Sequence, residues 1–302
     1  MTKRKWGESF LKSGLPLEHL TLITLKTHNF NCRPGIEYKR PAASGWFEID
    51  MDAEYWGRSN KDTFLRFLVE CKYHDESRFW FFLPCETQRW QFNERVYNCG
   101  PLQTLSNPES SSALKLAPLS YKGIVVSQDG TKQENAVYKA VEQLASGFVP
   151  YSLSLMFSYE LRIAKGNRPA CVALVPMIVT NAEIYRLKPE VTDLRLIRKA
   201  TSPEDVGHRL PWTWCYHDPC REAQVENRHT IENHISTYKE LFERFPKAGI
   251  RLELWDTRPN WILVVNVDNL SEAVKIICKH FLSIKTCTSR TALSKQRRVR
   301  SR

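Results

Sequence analysis

Two short extended segments constrain this chain more than any other feature. They are Phe47-Glu48-Ile49-Asp50-Met51-Asp52-Ala53 and Val69-Glu70-Cys71-Lys72. Side chains of a strand alternate between its faces. Phe47, Ile49, Met51, Ala53 and Tyr55 therefore form an apolar face, and Glu48, Asp50, Asp52 and Glu54 an acidic one. In the second segment Phe67, Val69 and Cys71 share one face, and Leu68, Glu70 and Lys72 the other. The first pattern alone describes any half-buried strand. The second, a polar pair emerging from a strand that is otherwise apolar, needs a reason.

Carboxylates at two-residue spacing repel one another, more so when partly desolvated. A bound cation relieves the repulsion, and so does water on an exposed face. Mg²⁺ takes one or two carboxylates and keeps several waters. A neighbouring lysine can orient an attacking water or balance charge developing on a phosphate. The bland alternative is a solvated face or a cross-strand ion pair. Glu48 and Glu54 read as solvated strand residues, and His19 as a surface or packing histidine.

Asp50 followed by Glu70-Cys71-Lys72 resembles the PD-(D/E)xK nuclease signature, an acid on one strand and an acid-x-lysine on the next. Phe-Glu-Ile-Asp-Met-Asp-Ala and Val-Glu-Cys-Lys are similar in particular to Mrr-like restriction endonucleases and Holliday-junction resolvases. The proline of the family name has no counterpart, since Ile49 precedes Asp50. The resemblance implies an α/β fold with a restriction-endonuclease-like mixed sheet flanked by helices. It also implies an acid on the helix before the sheet, and Glu18 matches that position. That helix is signalled by Pro16 in its first turn, with Leu15, Glu18, Leu22 and Leu25 on one stripe. The implied catalytic set is Glu18, Asp50, Glu70 and Lys72. The implied metal ligands are Asp50, Glu70 and the Cys71 carbonyl, holding Mg (or Mn). Asp52 is the rival to Asp50, because both fall on the same face. Some members use a helix glutamine to position water, and Gln133 stands at a helix start. The implied activity is endonucleolytic cleavage of DNA, in defence or DNA processing, with a homodimer as a possible assembly. The alternative is an inactive nuclease-fold protein that binds nucleic acid or a protein partner.

The chain has 302 residues, enough for a sizeable core, and a net charge of +11. Residues 289–302 hold six basic residues and no acid, leaving +5 for the rest. That end reads as a basic disordered tail able to hold phosphate by counterion release. No apolar stretch has the length of a membrane span, and no secretory signal follows Met1. Nine scattered cysteines suit free thiols in a reducing cytoplasm. Cys215-Tyr-His217-Asp-Pro-Cys220 lacks a second matching pair for zinc.

The expected organisation is a nuclease-like core over residues 13–190, a C-terminal α+β accessory region over 191–288, and the tail. Asn31 to Arg40 reads as a strand, Phe79 to Leu83 as a core strand, and residues 98–122 as a long loop or insertion. Ala136, Val137, Ala140, Val141 and Leu144 give helical character to Gln133–Ser146. Cys171 to Val179 reads as a buried strand. The accessory region reads as a hairpin, Ile250–Trp255 with Trp261–Val267, and a helix capped by Ser271. It is either a small module or an elaboration of the same sheet. Trp212 and Trp214 read as loop residues between the halves. No internal repeat, Walker motif, dinucleotide fingerprint or helix-turn-helix is evident.

Overall fold

The computed structural model describes residues 5–39, 46–56, 63–74, 77–85, 98–99, 102–104, 116–128, 136–164, 171–216, 221–237, 239–242 and 261–283. In chain order the elements begin with α1 (Lys5–Lys12), α2 (Leu15–Thr27), β1 (Asn31–Lys39), β2 (Trp46–Trp56), β3 (Thr63–Lys72) and β4 (Arg78–Pro84). Then come β5 (Asn98–Cys99), β6 (Leu102–Thr104), β7 (Leu119–Ser127), α3 (Ala136–Ala164), β8 (Cys171–Thr180) and β9 (Glu183–Leu187). The last group is α4 (Leu194–Lys199), α5 (Pro203–Val206), β10 (Gly207–Leu210), β11 (Trp212–Tyr216), α6 (Arg221–Thr237), α7 (Lys239–Phe242), β12 (Trp261–Asn266) and α8 (Leu270–Ser283).

The expected α/β class is what the chain forms: one large mixed sheet flanked by helices. Its main path runs β1-β2-β3-β8-β12-β11-β7-β4-β9-β10. β1, β2 and β3 form an antiparallel meander, and β8 adds in parallel beside β3. Parallel neighbours need a crossover, and α3 supplies it. Residues after 190 elaborate this same sheet: β12 lies parallel beside β8, and β11 antiparallel to β12.

Two apolar layers hold the sheet between helices. On one face α3 places Val137, Ala140, Val141, Leu144 and Phe148 against Ile49, Leu68, Leu174 and Ile178. On the other, Leu17 and Leu25 of α2 and Val274 and Ile277 of α8 meet Met51, Phe67, Val69 and Val175. β8 is buried on both sides, which is why its sequence is a continuous apolar run rather than an alternating one.

Several local expectations change. Leu15 is exposed, and the buried stripe of α2 is Leu17, Thr21 and Leu25, with Glu18 beside it. The helix read over 133–146, described from Ala136, continues to Ala164 through an internal Pro150. Trp212 and Trp214 stand on β11, not in a loop, and Trp214 is fully buried. Ser271 is the second residue of α8 rather than its cap, and its hydroxyl pairs with His28 Nε2 at 2.9 Å. Cys215 is a buried sheet residue, whereas His217 and Cys220 lie outside the described residues. So do Gln133, the 250–255 strand and the basic tail. No described helix is long and apolar enough to cross a membrane.

Candidate functional site

The site begins with a break in β2. Ile49 packs toward α3, where a Cβ added to Gly147 would clash with it. Met51, two residues on, belongs to the layer under α2 and α8. Residues two apart on a regular strand share a face, so alternation fails at Asp50. The ladders fail there as well. Pairing with β1 includes Pro34–Met51 and Ile36–Ile49 but skips Gly35–Asp50. Gly35 has φ +65°, and a Cβ there would come within 2.7 Å of Glu48 Oε1. Pairing with β3 stops at Met51–Val69. Asp50 completes the edge with its side chain instead: the Cys71 N–H donates to Asp50 Oδ2 at 2.5 Å.

The break also separates the two rivals, which do not share a face as regular alternation implied. Asp52 turns toward α3 and accepts from Arg33 Nη2 at 2.6 Å and Arg66 Nη1 at 3.3 Å. Arg66 continues to Glu54 at 2.9 Å and to the Tyr151 hydroxyl at 2.9 Å. Asp52 Oδ2 is thus committed to a buried ion network while its Oδ1 is buried without a hydrogen-bond partner among the described residues, and Glu54 is a partner in the network rather than a solvated acid. Asp50 keeps the position facing β3.

Regular alternation holds in β3. Glu70 and Lys72 project on the α3 side with Leu68, and Cys71 packs opposite with its thiol 3.6 Å from Thr21 Oγ1. Lys72 Nζ donates to Glu70 Oε1 at 2.5 Å and to Gln143 Oε1 at 3.2 Å. Gln143 Nε2 donates to the Glu48 carbonyl at 2.9 Å, and the Tyr38 hydroxyl donates to the Gln143 carbonyl at 3.0 Å. Gln143 therefore ties α3 to β2 and to the lysine. Gly147, one turn on, permits the close approach of α3 to Ile49 and Tyr38 that this requires. Gln143 is thus the glutamine that α3 places beside Lys72. Its signal was present in the sequence as a polar residue beside Leu144, at the rim of the apolar stripe.

Burial and like charge act together on the acids. Glu70 is raised to about 8, first by burial and then by Asp50, with Lys72 opposing. Asp50 is raised by burial, opposed by the Cys71 N–H and Lys72. Glu18 is raised by burial and then by Asp50 and Glu48, again opposed by Lys72. The four residues Glu18, Asp50, Glu70 and Lys72 share one electrostatic neighbourhood, with Asp50 as the common neighbour of both glutamates. Glu70 folds with a raised affinity for its proton, so its contribution to stability is fully present below the usual 4.5 and is lost as pH climbs to about 8. Without divalent metal, Glu70→Gln should flatten the fall in melting temperature across that window. Parallel wild-type and variant profiles would remove this reading.

Among the described residues, no group of three or more His, Cys, Asp or Glu is arranged to hold a metal ion. Mg²⁺ needs fewer side chains than that, because waters complete its shell. The donors present fit such an ion. Glu70 Oε2 is buried without a hydrogen-bond partner. Asp50 uses one oxygen on Cys71. A strand residue's N–H and C=O point to the same edge, so the Cys71 carbonyl faces the Asp50 side. The donors are all oxygens, the set a hard cation prefers. Comparison with family models, with curated proteins and with solved structures finds no match to this chain.

Proposed function

We propose that this protein is a divalent-metal-dependent phosphodiesterase that cleaves DNA, with a core of the PD-(D/E)xK type. The observation that carries this reading is the Asp50 break: an acid leaves its own strand's ladder to meet the backbone of an acid-x-lysine strand, beside a carboxylate oxygen that has no partner. A helix followed by a three-stranded meander, and later, after β4 to β7, the helix α3 leading to β8 parallel beside β3, supports it.

In this reading Asp50, Glu70 and the Cys71 carbonyl would hold Mg²⁺ or Mn²⁺, and Glu18 would accept a hydrogen bond from water at the site. The ion supplies Lewis acidity at the phosphate and a more acidic water. Lys72 holds the nucleophilic water and balances negative charge at the scissile phosphate. Gln143 would fix the lysine through its amide oxygen, as a second anchor beside Glu70. Because burial holds Asp50 and Glu70 toward their protonated forms, a bound cation would be coupled to their deprotonation.

Calorimetric titration with Mg²⁺ and Mn²⁺ should show a site lost in Asp50→Ala but kept in Asp52→Ala. A panel of plasmid, linear, branched and RNA substrates should show cleavage only with metal. Metal binding without cleavage of any of them would leave a nucleic-acid-binding protein built on the same fold. Absence of metal binding would end the nuclease reading.

A further inference from the structure

The outer face of β4 and β7 is separated from β3 by three intervening strands and plays no part in the carboxylate site. Its inner face is core: Trp80, Phe82 and Val125 pack toward α3. On the outer face the pairs Phe79–Val126 and Phe81–Ile124 lie side by side. The only cover given to them by the described residues around the cavity is the stretch from Ile197 to Val206. Between strands and cover is a cavity of about 830 Å³. That is the size and the predominantly apolar character of a small-ligand site. Ile124 is 49% exposed, and Phe81 stacks on Tyr185 at 5.2 Å, which fixes the cavity floor.

One cation is aimed here by backbone geometry. The β4–β7 register runs from Phe82–Gly123 to Leu83–Tyr121, so Lys122 is the extra residue of a bulge. It adopts φ +47°, one of two non-glycine residues with positive φ among those described. Bulges re-aim side chains, and unfavourable backbone conformations concentrate at ligand sites. Lys122 lines the cavity. No carboxylate among the described residues forms an ion pair with it. The polar groups of the cover are already used: the Thr201 N–H and hydroxyl and the Ser202 N–H all donate to Asp205. Among the described lining residues, which include the polar Ser127 and Gln128, Lys122 alone carries a charge, so an anionic group entering the cavity finds its counter-charge at the Lys122 end and the rest of the ligand lies along apolar side chains.

We propose that this cleft binds a free amphiphilic monocarboxylate, with its apolar body along Phe81, Ile124 and Val126 and its carboxylate on Lys122 Nζ. The site is independent of the nuclease reading and stands or falls separately from it.

The test is isothermal titration of the full chain with decanoate below its micelle-forming concentration, beside decanol, decyltrimethylammonium and phosphatidylglycerol vesicles. Decanoate should bind saturably, one per chain. Lys122→Gln should weaken decanoate about tenfold, the loss of one charge-assisted contact, and leave decanol unchanged. Ile124→Trp, which fills the cavity from a half-exposed position, should abolish binding of both. The proposal is overturned by absence of saturable decanoate binding, or by equal affinity in Lys122→Gln. Equal affinity for the cationic amphiphile, or association with vesicles but not with free decanoate, would also overturn it. Lys122 is exposed, so its variant tests the contact without loss of core packing.

Discussion

Lys72→Ala should lower metal-dependent DNA cleavage by about a hundredfold or more, the usual effect of removing a preorganised charge from a reacting phosphate or acyl group. Its metal titration should persist, because Asp50, Glu70 and the Cys71 carbonyl remain. Asp50→Ala should lose both binding and cleavage. Gln143→Ala should cost less, about tenfold, because Lys72 keeps its contact with Glu70 and loses only the amide that fixes it. The ordering of the three variants is more informative than any one value. Wild-type rates in Lys72→Ala would place the activity elsewhere. A Gln143→Ala loss confined to KM would make that glutamine a substrate contact instead of a support for the lysine.

Asp52→Ala should destabilise the fold by about 3 kcal/mol, near the lower end for breaking a buried ion pair. Asp52 is 2% exposed and lies between two guanidinium groups. Arg33 is mostly exposed and returns to water at little cost. Arg66 is not, and it keeps Glu54 and Tyr151, which moderates the loss. Urea unfolding measures the effect as a lower midpoint with an unchanged slope. Metal binding should be intact in the folded variant, because the Asp52 carboxylate is held by Arg33 and Arg66 rather than by the Asp50, Glu70 and Cys71 set. A variant that instead loses metal affinity at wild-type stability would reassign the ligand from Asp50 to Asp52.

The contrast between Asp50 and Asp52 shows where reading the chain reaches its limit. Period-two alternation placed both acids on one face, and this holds for any undistorted strand. It missed the displacement at Asp50 because the cause lies on the neighbouring strands. Gly35 on β1 omits its pairing, and Cys71 on β3 offers its N–H to the carboxylate. Glu54 looked solvated for a similar reason: Arg66, its partner, lies twelve residues away in sequence but across the ladder from it. Leu15 looked like a core residue because helical periodicity fixes a stripe only to within about a turn. Packing of Leu17, Thr21 and Leu25 against the sheet chose the neighbouring one.

Local pattern alone determined the strands that bear Asp50 and Glu70, the common face of Glu70 and Lys72, the helix bearing Glu18 and the buried strand β8. Each of these follows from side-chain direction within one element, and a few residues suffice to specify that. Only the tertiary structure decided which acid meets the lysine strand, that Gln143 supports Lys72, and that the last third of the chain completes the same sheet. Those outcomes depend on which elements become neighbours and how closely they approach. Neighbour choice is set by burial summed over many residues, with small ones such as Gly35 and Gly147 setting the distance, and no single segment carries that information.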